Sequence, residues 1–271
     1  MKVKVNSSIY SNTELIANPF SSGTYRVWLR NRDAFLRLWK TELWPPFVES
    51  LLTLLAFGFG LGAYVPGQIE GLSYLQFIAP GLVITAVLFT ASFECMFGTY
   101  IRMEYQKLFN AIVATPISIY EVVSGEIVWA ASRAAFTACS VLLIMTVFGL
   151  AGSWWALAVI PLALVSGFML ASMAMIVTAL VPSINSYNYY ITLGVIPMQL
   201  FSGIFFPVSR LPENIAWLVA FSPLYPVVKL ARAFFVGQIG PELLLYSVWL
   251  LALSVVAYIL ATKLMYRRLV K

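Results

Sequence analysis

Two ionisable residues interrupt apolar stretches of this 271-residue chain, and such positions are where chemistry or charge pairing is expected. Glu94 follows one apolar run and Arg133 lies inside another. A charged side chain at the bilayer centre costs about 2.5–3.5 kcal/mol, so it is usually paired or functional. The helical rise places both residues roughly 8–10 Å from the same membrane surface. The sequence therefore predicts an ion pair, which either fixes helix packing or contacts a substrate.

Residues for other chemistry are scarce. The chain has no histidine, which excludes histidine-based metal sites and Ser-His or Cys-His catalysis. It has no Gly-rich loop ending in Gly-Lys-Ser/Thr with which to hold nucleotide phosphates. Cys95 and Cys139 lie in apolar runs and are expected to pack as small apolar side chains. We expect no catalytic residue, metal or bound cofactor in this chain.

A polar, amphipathic stretch spans residues 102–126. Pro116 is expected to end its helix, since proline disfavours helical geometry in the preceding residue, and Ser118 with Glu121 forms a capping box that starts another. A short helix that stops sharply at a membrane surface is suited to receive a push from another protein. The residues of this predicted transmission element, 102–122, are Arg102, Tyr105, Gln106, Leu108, Phe109, Ile112, Thr115, Pro116 and Glu121. Tyr105, Leu108, Phe109 and Ile112 are expected to share its apolar face.

The composition indicates an all-α membrane protein. Hydrophobic residues make up 61% of the chain and charged residues 10%, and the mean hydropathy is +0.87. A helical span needs about 20 apolar residues. The sequence predicts six transmembrane helices, at 47–65, 78–98, 124–149, 155–181, 187–207 and 244–262.

The distribution of basic residues predicts the orientation. Most of the 17 Lys and Arg residues precede the first span, follow the second or lie at the C-terminus. By the positive-inside rule, both termini and the 102–122 element are cytoplasmic. The net charge of +6 then reflects topology and does not indicate nucleic-acid binding. Glu49 and Glu126 are expected near the inner surface, where a solvated carboxylate costs little.

Residues 1–46 form a predicted cytoplasmic N-terminal segment that precedes the transmembrane domain, 47–271. Within it, apolar side chains recur at helical spacing between 25 and 44, and Arg26, Arg30 and Arg37 lie off that face. This pattern predicts an interfacial amphipathic helix, which Pro45 and Pro46 are expected to break. The helix either anchors the chain to the membrane or also packs against a cytoplasmic partner.

Prolines divide the region 208–241 into apolar pieces of about ten residues, near 213–221 and 227–236. Both pieces are too short to cross a bilayer. Because backbone at membrane depth must satisfy its own hydrogen bonds, we expect a re-entrant helical hairpin that enters from the extracytoplasmic side, between spans five and six. A surface hairpin is the alternative.

Three stretches together resemble a known family, the membrane subunits of ABC exporters for polysaccharides, lipo-oligosaccharides and drugs. They are the 102–126 element with its Thr115 and Pro116 stop, the sequence FSGIFFPVSRLP at 201–212, and residues 222–224 followed by Arg232 and Gly237. The resemblance covers nearly the full length. Within the family the chain most resembles the NodJ type, which exports lipochitin oligosaccharide nodulation signals, although Lys107 stands where arginine is expected.

The resemblance implies a mechanism and partners. Two copies of the chain would assemble in the bacterial inner membrane, surrounded by membrane lipids. Each would bind a cytoplasmic ABC ATPase subunit that holds ATP and Mg, and the 102–122 element would be the coupling helix. The re-entrant region would close the outer exit, and its gate residues would be Pro207, Pro212, Pro223 and Arg232.

Aromatic residues near the predicted outer ends of the spans are candidates for a substrate path. They are Phe57, Tyr64, Tyr189, Tyr190, Phe201, Phe205 and Phe206. Such rings could stack on sugars or hold acyl chains, or could simply pack and form an interfacial belt. A lipid-linked saccharide, a drug or lipid, and a polysaccharide all remain open as substrates. A self-contained ion-coupled transporter or lipid-modifying enzyme is the alternative from another class.

Overall fold

A computed structural model describes residues 21–64, 67–208, 212, 219 and 222–270, and these residues are helical with no β-strand among them. The helices are α1 (Ser22–Leu55), α2 (Tyr74–Tyr105), α3 (Leu108–Val113), α4 (Ile119–Val147), α5 (Val159–Leu180), α6 (Tyr187–Tyr190), α7 (Ile196–Leu200), α8 (Tyr225–Val236) and α9 (Glu242–Val270). Wider π-helical turns at Glu94–Gly98 and Ile101–Tyr105 lie within α2.

Four of the described helices are long and apolar enough to cross a membrane. They are α2, α4, α5 with the turn Trp154–Ala158 before it, and α9. Four of the predicted spans fall on these helices. The predicted first span contains the shorter apolar helix Phe47–Gly58. The predicted fifth falls on α6 and α7, which the π-helical turn Ile191–Val195 joins. The chain is therefore a helical membrane protein. The number of six spans stays a prediction.

Helix α4 lies at the centre of the fold, in contact with α1, α2, α5 and α9. Small residues let the neighbouring backbones approach closely, as is common between membrane helices. A Cβ atom added at Gly167 of α5, for example, would lie 3.1 Å from the Cβ of Ala134 on α4. The Ser124 and Tyr258 hydroxyls, 2.6 Å apart, join α4 to α9.

Helix α1 continues through Pro45 and Pro46, so the expected break there is wrong. The φ angle of proline is compatible with a helix, and helices at membrane depth tolerate proline where neighbouring groups satisfy the freed backbone. The helix begins at Ser22, where the side chain of Ser21 accepts a hydrogen bond from the Thr24 amide. The predicted interfacial segment and the start of the predicted first span thus lie in one continuous helix.

The part of the 102–126 stretch before Pro116 is not the single amphipathic helix that the sequence predicts. Helix α2 runs on to Tyr105, and Lys107 then adopts a left-handed conformation with φ of 51°, which redirects the chain into α3. The predicted second start is present: the Ser118 hydroxyl accepts from the Glu121 amide, and the Glu121 carboxylate accepts from the Ser118 amide. The left-handed backbone of Lys107 changes the direction of the chain between Tyr105 and Leu108, so the expected apolar face is not formed.

The outer region is described in part. Helix α8 contains the predicted piece 227–236 and packs against α2, α9 and the turn Trp154–Ala158. It ends at Gly237, whose φ of 80° suits glycine. The other predicted piece, 213–221, lies almost entirely outside the described residues, as do residues 1–20. The re-entrant hairpin therefore stays a prediction.

We predict that Gly125→Ala lowers the thermal unfolding temperature of the purified protein in detergent, followed by tryptophan fluorescence. The added Cβ would lie 2.6 Å from Val27 Cβ and 3.0 Å from the carbonyl oxygen of Thr24, both on α1. Overpacking of this kind costs about 1–3 kcal/mol. The matched control is Gly60→Ala, whose Cβ would meet nothing within 4 Å. Equal unfolding temperatures for the two variants would contradict this packing of α1 on α4.

Candidate functional site

Five charged side chains from three helices form one continuous chain of ion pairs. Arg30 of α1 contacts Glu126 of α4 at 2.7 Å. Arg102 of α2 contacts both Glu126 and Glu94, the latter at 2.8 Å. Arg133 of α4 contacts the other oxygen of Glu94. Positive and negative groups therefore alternate along the chain, and each carboxylate lies between two guanidinium groups.

The carboxylates are the most deeply buried members of this charge network. The Glu126 side chain is 0% exposed and that of Glu94 4%, whereas the three arginines retain 18–29% exposure. Thr99 donates a further hydrogen bond to Glu126 at 3.2 Å, and the Trp129 indole donates one to Glu94 at the same distance. Removing ions from water is costly unless pairing and hydrogen bonds replace the lost hydration. Both carboxylates meet that condition.

The helical spacing of the residues explains how the network fits. Glu94, Gly98 and Arg102 follow one another at intervals of four along α2, and a Cβ at Gly98 would lie 2.9 Å from Glu94 Oε1 and 3.3 Å from Arg102 Nη1. Glycine at 98 thus leaves room for the pair. Glu126 and Arg133 lie seven residues apart on α4, which is about two turns. These two spacings are sequence signals for the network that single-residue reasoning missed.

The structure brings Glu94 and Arg133 together, as the sequence predicts. The expectation that Glu126 is a solvated carboxylate is wrong, because α1 covers α4 at this point and supplies Arg30. Arg102, expected on the surface of the transmission element, instead turns inward to both carboxylates. Arg30 belongs to the same network and was expected to lie near lipid headgroups.

The exposed surface after α2 is mostly polar, which corrects the expected apolar contact face. Phe109 is 1% exposed and belongs to the core, while Leu108 and Ile112 are half-buried and Glu121 serves the cap of α4. The turn between α2 and α4 exposes Tyr105, Gln106, Lys107, Asn110, Ala111, Thr115 and Pro116. We call these residues the elbow surface.

Arg268, in the last turn of α9, holds the end of α2 at which the elbow surface begins. Its guanidinium donates to the carbonyl oxygen of Thr178, in the last turn of α5. It also donates to that of Val181, the residue after α5, at 2.7 Å. It also donates to Glu104 of α2 at 3.1 Å. The terminal carbonyl groups of a helix lack partners within it, so Arg268 both satisfies α5 and links it to α2. From sequence it was only one member of a basic cluster.

The candidate aromatic path residues do not form one cluster. Phe57 and Phe205 stack with ring centroids 5.1 Å apart, and Phe201 and Phe206 are half-buried. Tyr64 and Tyr189 are exposed. The Tyr190 hydroxyl is buried without a hydrogen-bond partner among the described residues, and Tyr190 and Phe201 line a cavity of about 300 Å³ with Pro223.

Among the candidate gate residues, Arg232 is the one held most firmly. It is buried, donates to the carbonyl oxygens of Gly203, at 2.8 Å, and Phe77, at 3.3 Å, and lies 3.8 Å above the Phe77 ring. Pro207 is buried and Pro212 exposed. Arg232 therefore ties α8 to α2 and to the 201–206 turn, and the gate itself stays a prediction.

Comparison with known proteins identifies the family. The model of the ABC-2 type transporter family matches residues 24–236. The chain belongs to this family. It is 33% identical to Nodulation protein J of Sinorhizobium fredii over 94% of the chain and 96% of the relative. It is 32% identical to Nodulation protein J of Rhizobium meliloti, covering 90% and 92% respectively. It is 24% identical to the Inner membrane transport permease YadH of Escherichia coli, covering 79% and 82%.

The charge network thus belongs to a permease of the ABC-2 type transporter family. Permeases of the family normally work with an ATPase subunit, and the chain itself is a transporter membrane subunit. The described residues contain no group of His, Cys, Asp or Glu that could hold a metal. The network links α1, α2 and α4.

We predict that Glu126→Gln sharply lowers the yield of folded permease, measured as the monodisperse size-exclusion peak of a fluorescent-protein fusion. The change leaves Arg30 and Arg102 without the carboxylate they share, and breaking a buried pair costs about 3–5 kcal/mol. Adding Arg30→Gln should restore part of the yield, because Glu126 is the carboxylate that Arg30 contacts, whereas Arg102 still contacts Glu94.

The matched control is Asp33→Asn on α1, whose carboxylate pairs with Arg32 but is 56% exposed. Exposed pairs contribute about 0–1 kcal/mol, so this variant should fold as the wild type does. If Glu126→Gln matched Asp33→Asn in yield, the buried network would not be holding the helices.

Proposed function

We propose that this permease is the transmembrane subunit of an ATP-driven exporter of an amphipathic substrate, a lipo-oligosaccharide or another lipid-linked saccharide. Two copies act with two copies of a cytoplasmic ATPase subunit, which binds ATP and Mg. Family membership and the relatives named Nodulation protein J support this proposal. A drug or lipid exporter of the same family is the second candidate, because membership of the ABC-2 type transporter family does not by itself specify a saccharide.

The observation that carries the proposal is the mechanical connection of the elbow surface. Arg102 lies one turn before Tyr105 on α2 and bonds carboxylates of α2 and α4. Arg30 extends the same chain of bonds to α1, and Arg268 joins the base of the elbow to α5 and α9. A displacement of the elbow surface by a bound ATPase would move these helices together.

The contacts also support a topology for this arrangement. The last turn of α9 lies beside the elbow surface through Arg268 and Glu104, and the N-terminal half of α1 lies beside the start of α4 through Arg30 and Glu126. The basic residues of both chain ends thus gather at one end of the helices. The positive-inside rule assigns that end to the cytoplasm, in a six-span protein of the bacterial inner membrane.

Support for a second copy comes from α6 and α7. Exposed apolar side chains on α6, on α7 and on the π-helical turn Ile191–Val195 between them recur at intervals of three and four, the spacing of one helix face. They are Tyr189, Leu193, Ile196 and Leu200. In the proposed dimer this stripe and the nearby aromatic residues face the seam between the permease copies, and that seam forms the substrate path.

An ion-coupled transporter is less well supported. Such a protein usually needs broken helices and a midplane acidic residue that can release its bound ion. The two buried acidic residues of the described spans are already held, Glu94 by two arginines and the Trp129 indole, and Glu126 by two arginines and Thr99. An acid with these partners is suited to holding helices together and not to cyclic protonation.

We predict that Gln106→Trp uncouples ATP hydrolysis from transport in the co-expressed permease–ATPase complex reconstituted in lipid. Gln106 is exposed on the elbow surface, and a bulky ring there would displace a docked ATPase without disturbing the core. Substrate-stimulated hydrolysis and export should both fall at least about tenfold, the loss expected from about 1.4 kcal/mol of lost binding at a contact of this kind.

Gln68→Trp is the matched control. Gln68 is equally exposed but lies in the loop before α2, at the opposite end of that helix. This variant should hydrolyse ATP and export as the wild type does. Normal coupling in Gln106→Trp, with both variants inserted equally well, would contradict the role of the elbow surface.

A further inference from the structure

A cavity of about 460 Å³ opens between α1, α2 and α4, directly beside the charge network. Glu94 and Arg133 form one of its ends. Cavities of roughly 300–1,000 Å³ are the size that holds small organic ligands. This cavity is separate from the outer aromatic residues, and the elbow surface does not contribute to it.

The cavity wall is rich in hydroxyl groups. Ser50 and Thr53 come from α1, Thr85 and Thr90 from α2, and Thr137 from α4. The Thr85 hydroxyl oxygen is shielded from water and has no hydrogen-bond partner among the described residues. Buried polar groups are normally hydrogen-bonded, so a ligand that supplies hydroxyl groups would satisfy it.

A row of phenyl rings forms another side of the cavity. Phe89, Phe93 and Phe97 follow at intervals of four on α2, and successive ring centroids lie 5.5 and 5.7 Å apart. Phe93 keeps 38% of its surface exposed. The face of an aromatic ring carries partial negative charge and attracts the C–H groups of a sugar ring. Hydroxyl groups opposite aromatic rings are a combination suited to saccharides.

The charges around the cavity distinguish a neutral sugar from an anionic headgroup. Arg133 is engaged by Glu94, and Glu49 adds another carboxylate to the lining. The charged residues that line the cavity are Glu49, Glu94 and Arg133, so its lining carries one net negative charge. A phosphate group would therefore meet carboxylates as well as cations, whereas a polyol can donate to the carboxylates and accept from the threonines.

We infer that this cavity binds the sugar head of an amphipathic saccharide in the inner half of the membrane, before it reaches the outer aromatic residues. The inference rests on the proposed export function and adds the location and chemistry of substrate selection. The hydroxyl groups of Thr53 and Thr85 bond the sugar, and Phe93 stacks against it.

The test is substrate binding by the permease–ATPase complex in lipid nanodiscs without nucleotide, with N-palmitoylated chitotetraose as the probe. The variant Thr53→Val, Thr85→Val keeps side-chain shape and removes two hydroxyl groups from the cavity. Its dissociation constant should rise about tenfold or more, as expected for two lost hydrogen bonds. Phe93→Leu should raise it as well, by loss of the stacking ring.

The control variant is Thr146→Val, Thr262→Val. These hydroxyls bond carbonyl groups of their own helices and do not line the cavity. This variant should bind the probe as the wild type does. Unchanged binding in both Thr53→Val, Thr85→Val and Phe93→Leu would overturn the site.

A second probe, palmitamide, carries the acyl chain without sugar. Its binding should be weaker than that of the saccharide and equal in all variants. Equal affinity of the wild type for both probes would overturn the saccharide assignment. Binding is measured without ATP hydrolysis, so failure of the proposed coupling would appear separately, as normal transport by Gln106→Trp.

Discussion

The need to compensate buried charge constrains the whole arrangement of helices. Glu126 and Glu94 lie at the contacts of α4 and α2 with almost no exposure to solvent, and each requires cations from other helices. Arg30 can reach Glu126 only when α1 lies along α4, and Arg102 can reach both carboxylates only when Gly98 leaves space. The three helices therefore cannot pack in this way unless the five charges pair, and the charges cannot pair unless the helices pack.

This condition holds α1, α2 and α4 together at the end of the helices that the positive-inside rule predicts to be cytoplasmic. The elbow surface follows Arg102 by a few residues and is fastened on its other side by Arg268. An exposed polar surface held in this way can pass movement from a partner to several membrane helices without catalytic residues of its own. Permeases of the ABC-2 type transporter family, to which the chain belongs, normally work with an ATPase subunit.

Features that depend on spacing and hydropathy were predictable from the sequence, and those that depend on where α1 packs were not. The Ser118 capping box, four of the spans and the meeting of Glu94 with Arg133 follow from spacing and hydropathy. The burial of Glu126 depends on α1, which lies far away in the sequence. The continuity of α1 through its proline pair and the left-handed Lys107 depend on the surrounding packing. The ATPase partner was predicted from the resemblance to a family, since no pattern of residues in the chain indicates it.

The most direct test of the elbow surface as the ATPase contact is site-specific cross-linking. The chain has two cysteines, Cys95 and Cys139, so a background with both changed to alanine allows a single cysteine to be placed at exposed Ala111. Ala111→Cys should cross-link to the co-purified ATPase through a short bifunctional reagent, and Gln68→Cys should not. An isolated complex in which Ala111→Cys forms no cross-link, or in which Gln68→Cys forms one equally, would contradict the assignment.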